Sequence, residues 1–160
     1  MSQRREKGVR IYYTADVMCG SRCAASADIC FFAVEFETRR IIRLRDIDHL
    51  WNCPALPGEN MEKAVCRGDM VRAAEETVRF SDCDSNRHMS SPKYLDLVCD
   101  VTGYWAEREK LCSLMQVDFV SECRPGERLE LLTAQEDGLT YVRGVKADGT
   151  SAFDAVCSYC

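Results

Sequence analysis

The sequence predicts an α+β domain: an antiparallel sheet wrapped around one long central helix. Three observations carry that reading. Between Pro92 and about residue 108, Tyr94, Leu97, Val98, Val101, Tyr104 and Trp105 recur at spacings of three and four, which draws a single apolar stripe along a helix. After the helix come four runs, CSLMQVDFVSEC, RLELLTA, TYVRGVKA and SAFDAVCSY, separated by the turn signals RPGE, EDG and ADG. Before it, TVRFS alternates Val78 and Phe80 with Thr77, Arg79 and Ser81, the pattern of a half-buried strand.

Taken in order, VRIYYTADV (residues 9–17) reads as a strand, MCGSRC as a turn centred on Gly20, and ICFFAVEFE (29–37) as the second strand of a hairpin. TRRIIRLRDIDHLW continues it. NCPALPGEN, with Pro54, Pro57 and Gly58, then marks the most evident boundary. This predicts an N-terminal segment 1–52, a linker 53–72 and a main domain 73–160. Ser91 is expected to cap the helix, with Pro92 as its first residue. Met115, Val117 and Phe119 share one parity, as do Leu129 with Leu131 and Phe153 with Ala155, so each strand has one inward face.

The stretch SDCDSNRHMSS carries the chemistry. Asp82, Asp84, Asn86 and His88 occupy every second position. If the strand entering through Val78 and Phe80 continued, all four would point inward, and ionisable groups on an inward face are costly unless paired or used. A calcium loop is excluded: counted from Asp82, the sixth position is Arg87 instead of glycine and the twelfth is Lys93 instead of glutamate. The plainer alternative is a connection whose Asp and Asn side chains cap local backbone groups.

Composition narrows the partners. The chain has 160 residues, 46% of them hydrophobic, and a net charge of -5, so no overall basic field exists for nucleic acid or an anionic membrane. The eleven cysteines are odd in number, and no export signal precedes them, so reduced thiols and a cytoplasmic location are expected. Cys157 with Cys160, and Cys19 with Cys23, have no matching second pair, so neither metal nor cofactor is expected. Arg39, Arg40, Arg43 and Arg45 form a dense basic cluster, suited either to docking an acidic protein or to guarding an edge strand.

DCDSNRHMSSPKY followed, after a helix, by FVSECRPGE resembles the C-terminal half of acyl-acyl carrier protein thioesterases of the plastid and bacterial kind, with the pattern D-x-D-x-N-x-H-x-N-N-x-K-Y and a later R-E-C. FFAVEFETRRIIRL is similar to the strand closing that family's N-terminal half. Ser90 and Ser91 stand where the pattern has two asparagines, and Ser121 where it has arginine.

The resemblance implies a hot-dog fold for residues 73–160, with residues 1–52 a hairpin remnant of a second hot dog. It implies hydrolysis of an acyl thioester on acyl carrier protein, with Asp84, Asn86, His88 and Glu122 as the catalytic set and the arginine cluster as carrier dock. Thioester hydrolysis needs an activated water and oxyanion donors, and its thiol leaves readily. Cys123 with His88 and Asn86 offers a second chemistry, that of a cysteine nucleophile. Strand parity turns Cys123 inward, whereas buried cysteines are usually inert, so both partners for His88 stay open. An acyl-CoA substrate and a non-catalytic acyl-binding module remain alternatives, and unpaired strand edges lead us to expect a homodimer.

Overall fold

The computed structural model describes residues 2–7, 9–43, 56–57, 61–104 and 111–160. Arg45, Trp105 and most of NCPALPGEN lie outside them. The chain divides into two compact units, residues 1–62 and 63–160.

In the first unit, β1 (Ser2–Lys7), β2 (Arg10–Cys19), β3 (Arg22–Phe31) and β4 (Leu56–Pro57) form one sheet in the order β3-β2-β1-β4. Gly20, at φ 62°, lets the chain reverse at once, so Cys19 faces Arg22 and pairing runs back to Ile11 opposite Phe31. This shifts the second strand from the expected ICFFAVEFE to RCAASADICF. Small and polar residues form it because a ten-residue partner dictates the pairing, whatever their own strand preference. Beyond Phe31 only an isolated bridge joins Val34 to Ile41, and Arg39 in the intervening turn adopts φ 56°. β1, with the charged sequence SQRREK, was not foreseen, since backbone pairing with β2 requires no apolar alternation.

The second unit is built from β5 (Val71–Thr77), α1 (Ser91–Thr102), β6 (Cys112–Phe119), β7 (Arg128–Glu136), β8 (Leu139–Lys146) and β9 (Ser151–Tyr159). Its antiparallel sheet has the order β5-β7-β8-β9-β6. The meander of the last three strands is the one the turn signals predict, and the arrangement is a hot-dog fold. Ser90, in extended backbone, is the N-cap, so the helix begins at Ser91, one residue earlier than expected, and Pro92 is its second residue. The helix also stops sooner, because Gly103 takes the left-handed conformation at φ 69°. Tyr104 then stacks on Tyr159 of β9, with ring centroids 5.1 Å apart. Among the described residues no helix is long and apolar enough to cross a membrane.

The inward faces of α1, β7, β8 and β9 meet as parity requires: Tyr94 and Val98 of α1 pack with Leu129, Leu131, Val142, Phe153, Ala155 and Cys157. On β6, by contrast, Phe119, expected inward with Met115 and Val117, is 53% exposed at the strand's end. Tyr94 meets Phe153 edge-on at 5.4 Å. Phe153 in turn lies over Gly144, where a Cβ would sit 2.3 Å from the ring. On the other face, Arg143 holds Asp154 through Nε at 2.6 Å and Nη2 at 3.2 Å. Cys66, 3.4 Å from the same carboxylate, has its thiol pushed up to about 11 by burial and then by Asp154.

Gly144→Ala is therefore expected to destabilise the second unit by roughly 1–3 kcal/mol, the usual cost of overpacking a filled core. Urea unfolding followed by circular dichroism measures it, and an unchanged midpoint would show that Phe153 yields freely.

Candidate functional site

The site is assembled where β5 ends. Val78 is buried, as its parity predicts, and is stitched to the turn after residue 123: its amide donates to the Glu127 carbonyl at 2.9 Å, and the Gly126 amide to its own carbonyl at 2.8 Å. The strand goes no further. The Asp82 carboxylate accepts the Arg79 amide at 2.8 Å and draws Phe80–Asp82 into a 3-10 turn. Phe80 is consequently 83% exposed, not inward as the alternation suggested.

Asp84 does the same two residues on. Its Oδ1 accepts the Asn86 amide at 2.8 Å, its carbonyl accepts the Arg87 amide at 3.0 Å, and Arg87 turns at φ 64°. The Asp84 amide donates to the His88 carbonyl at 3.0 Å, and Cys83 bridges Met89. Residues 83–89 are thus a tight hairpin with Asp84 and Asn86 exposed at its tip. The single inward face of Asp82, Asp84, Asn86 and His88 does not form, because two carboxylates capture local amides before the extended path can continue. The plainer reading, side chains capping backbone groups, describes Asp82 and Asp84.

His88 is different. Its Nε2 lies 2.9 Å from Glu122 Oε2, with the imidazole 12% and the carboxylate 54% exposed. The two come together because the Met89 amide donates to the Cys123 carbonyl at 2.8 Å, which lays the hairpin beside the chain leaving β6. There the strand has lost its parity: the Val120 and Ser121 amides both donate to the Ala152 carbonyl, at 2.9 and 3.1 Å, two residues opposing one as in a bulge. Glu122 turns to His88, and Cys123 is fully buried.

The Cys123 thiol sits beside the Tyr94 hydroxyl and is pushed up mainly by burial, which the tyrosine only partly offsets. The Tyr94 hydroxyl is likewise pushed up by burial and by the thiol. Of the two partners left open for His88, the structure brings Glu122 to it and gives Cys123 to Tyr94. Lys146, at the end of β8, was not foreseen: its Nζ donates to the Glu122 carbonyl. Nothing in TYVRGVKA distinguishes that lysine from an ordinary strand end.

A cleft of about 370 Å³ lies beside the hairpin, with Val78, Met89, Leu97 and Leu129 among its apolar walls and Arg79, Lys93, Glu76, Asp82, Asp96 and Asp100 among its polar ones. The adjacent α1 N-terminus adds a partial positive charge. Arg39, Arg40 and Arg43 belong to the first unit, where the Arg39 guanidinium lies 5.6 Å over the Phe36 ring. Among the described residues no group of three or more metal ligands is present. The arrangement as it stands, an imidazole held by a carboxylate beside a helix N-terminus, suits proton transfer and stabilisation of a developing negative charge.

Comparison with known proteins gives a consistent picture. The family model described as acyl-ACP thioesterase C-terminal domain matches residues 68–153. Among solved structures, an acyl-ACP thioesterase from Bacteroides thetaiotaomicron is similar over 99% of this chain and 67% of its own, at 15% identity and a TM-score of 0.78. A Lactobacillus plantarum structure assigned to an oleoyl thioesterase is similar over 95% of this chain and 63% of its own, at 13% identity and a TM-score of 0.75. A Staphylococcus aureus protein in complex with CoA covers 54% of this chain and 72% of its own, at 19% identity and a TM-score of 0.50. The search of curated proteins finds no match.

The burial of the thiols makes a direct forecast. Brief iodoacetamide treatment of the native protein near pH 8 is expected to modify the exposed Cys112 and Cys160 and to spare Cys123 and Cys157. Peptide mass spectrometry reads this, and rapid labelling of Cys123 would contradict its buried place against Tyr94.

Proposed function

Because the chain belongs to the acyl-ACP thioesterase C-terminal domain family, we propose that it hydrolyses the thioester of acyl-acyl carrier protein, releasing a free fatty acid. The observation that carries the proposal is the 2.9 Å contact between His88 Nε2 and Glu122 Oε2. His88 Nε2–H donates a hydrogen bond to Glu122, which orients the ring, and Nδ1 takes a proton from the attacking water. The water oxygen adds to the acyl carbonyl. The side-chain amide of Asn86 and the α1 N-terminus face the resulting oxyanion. Collapse breaks the C–S bond and expels a thiolate, which needs little help because a free thiol has a pKa of about 8.5. The proton held on Nδ1 passes to that thiolate, restoring the neutral imidazole. Asp84, through its bond to the Asn86 amide, fixes the loop that presents Asn86 and His88.

The carrier is proposed to dock on Arg39, Arg40, Arg43 and Arg45, a basic cluster on a chain of net charge -5 that suits an acidic protein bearing acyl-phosphopantetheine. Pairing of two copies is proposed from the second unit's sheet, whose outermost strands β5 and β6 have each only one neighbour within it.

His88→Ala is expected to lower hydrolysis on the order of 100-fold or more, the usual value of a general acid-base group. Glu122→Ala should cost far more than Cys123→Ser, and the reverse order would return the cysteine to the nucleophile role. Assays with acyl carrier protein and CoA esters of several chain lengths decide the carrier. An absence of turnover on all of them would leave an acyl-binding module. Sedimentation equilibrium at micromolar concentration is expected to give twice the 18.2 kDa of one chain, and that single-chain mass would reject the dimer.

A further inference from the structure

A half-buried cation touches the site without belonging to the reacting set. Lys146 ends β8, and its backbone is fixed by the following turn: its amide donates to the Thr150 carbonyl and its carbonyl accepts from Gly149, both at 2.9 Å. Its side chain, 15% exposed, runs under the loop between β6 and β7. There Nζ donates to the carbonyl oxygen of Glu122 and lies 3.2 Å from Glu127 Oε2. Glu127 Oε2 also accepts the Arg124 amide at 3.1 Å, and the Glu127 amide donates to the Arg124 carbonyl at 3.1 Å, closing the turn Arg124-Pro125-Gly126-Glu127. Gly126 stands at φ 88°, in the position a type II turn reserves for glycine.

A buried ammonium is costly unless it is paired and hydrogen-bonded. Lys146 meets both conditions by gripping the two ends of one loop, the Glu122 peptide at its start and the Glu127 carboxylate at its close. We infer that Lys146 is a positioning residue: by holding the Glu122 peptide it sets the carboxylate at His88. The inference rests on the role proposed above for that pair. Removing the ammonium leaves the Glu122 carbonyl and the Glu127 carboxylate without this donor, and the loop free to displace Glu122 from the imidazole. Displacements of about 1 Å can cost on the order of 100-fold in rate.

The variants Lys146→Met, Lys146→Arg and Glu127→Gln test this, each alone and the first also combined with Glu122→Gln. Lys146→Met is expected to lower kcat roughly tenfold or more while KM stays within about twofold, since the lysine acts on geometry and not on substrate. Lys146→Arg should restore most of the rate. Glu127→Gln, which loosens only the anchor, should give a smaller loss in the same direction. In the Glu122→Gln background, Lys146→Met should have no further effect, because residues that act through one group are not additive.

A full multiplicative loss in that background, or a kcat within about twofold of wild type for Lys146→Met, would overturn the inference. Crystal structures of the Lys146→Met and Glu127→Gln proteins give a readout that needs no activity. The distance from His88 Nε2 to Glu122 Oε2 should open beyond hydrogen-bond reach, roughly 3.5 Å, in the first. A contact still at 2.9 Å would reject the positioning role whatever the rates. If the wild-type protein hydrolyses no thioester, the proposed function fails and this distance alone decides the role of Lys146.

Discussion

The hydrogen bond from the Met89 amide to the Cys123 carbonyl is the constraint on which the rest of the site depends. It joins the hairpin that follows β5 to the loop that follows β6, two segments far apart in sequence. Met89 is buried, so its amide has little access to water and its bond is expensive to lose, roughly 1–3 kcal/mol for a buried donor left unsatisfied. Once this bond is made, the residue before Met89 lies beside the residue before Cys123. Those residues are His88 and Glu122. The next amide, that of Ser90, donates to the Asp82 carbonyl at 2.9 Å and delivers the chain into α1.

The helix is then locked to the sheet by one aromatic side chain. Tyr94, in the first turns of α1, meets Phe153 edge-on, meets Phe119 at 5.1 Å and sets its hydroxyl beside the Cys123 thiol. Each aromatic pair contributes about 0.5–1.5 kcal/mol beyond the area it buries. Phe153 takes its place because Gly144 offers no Cβ. The same tyrosine therefore touches the core of the sheet and the loop carrying Glu122, so helix, sheet and site are not positioned independently. Lys146 supports that loop from below, and the bonds between Val78 and residues 126–127 tie its far end to β5.

Within this frame the residues of the motif have two distinct kinds of work. Asp82 and Asp84 are consumed in making turns, each accepting a backbone amide at 2.8 Å. Their alternation records successive turns, a 3-10 turn and then a tight loop, and not the face of a strand. This is the usual competition between short polar side chains and regular structure. His88 lies at the base of that loop, half sheltered, where the backbone geometry made by the aspartates carries it to Glu122.

Much of the second unit was legible in the sequence. RPGE, EDG and ADG delimit three strands, the inward residues read on the first and last of them, Leu129 with Leu131 and Phe153 with Ala155, are fully buried, and the stripe through Tyr94 and Val98 lies against them. These follow from local rules, since a regular strand or helix repeats its geometry and therefore its burial at a fixed period. The polar motif and the E-C pair also stood out in the sequence, through their resemblance to a family pattern. Periodicity failed at residues 80–90 and 120–123, where the backbone stops being regular: carboxylates capture nearby amides, and two amides share the Ala152 carbonyl. Counting parity across such points cannot tell Glu122 from Cys123 as the neighbour of His88. The tertiary structure decided that choice, through a backbone bond between distant loops that leaves no local pattern in the sequence.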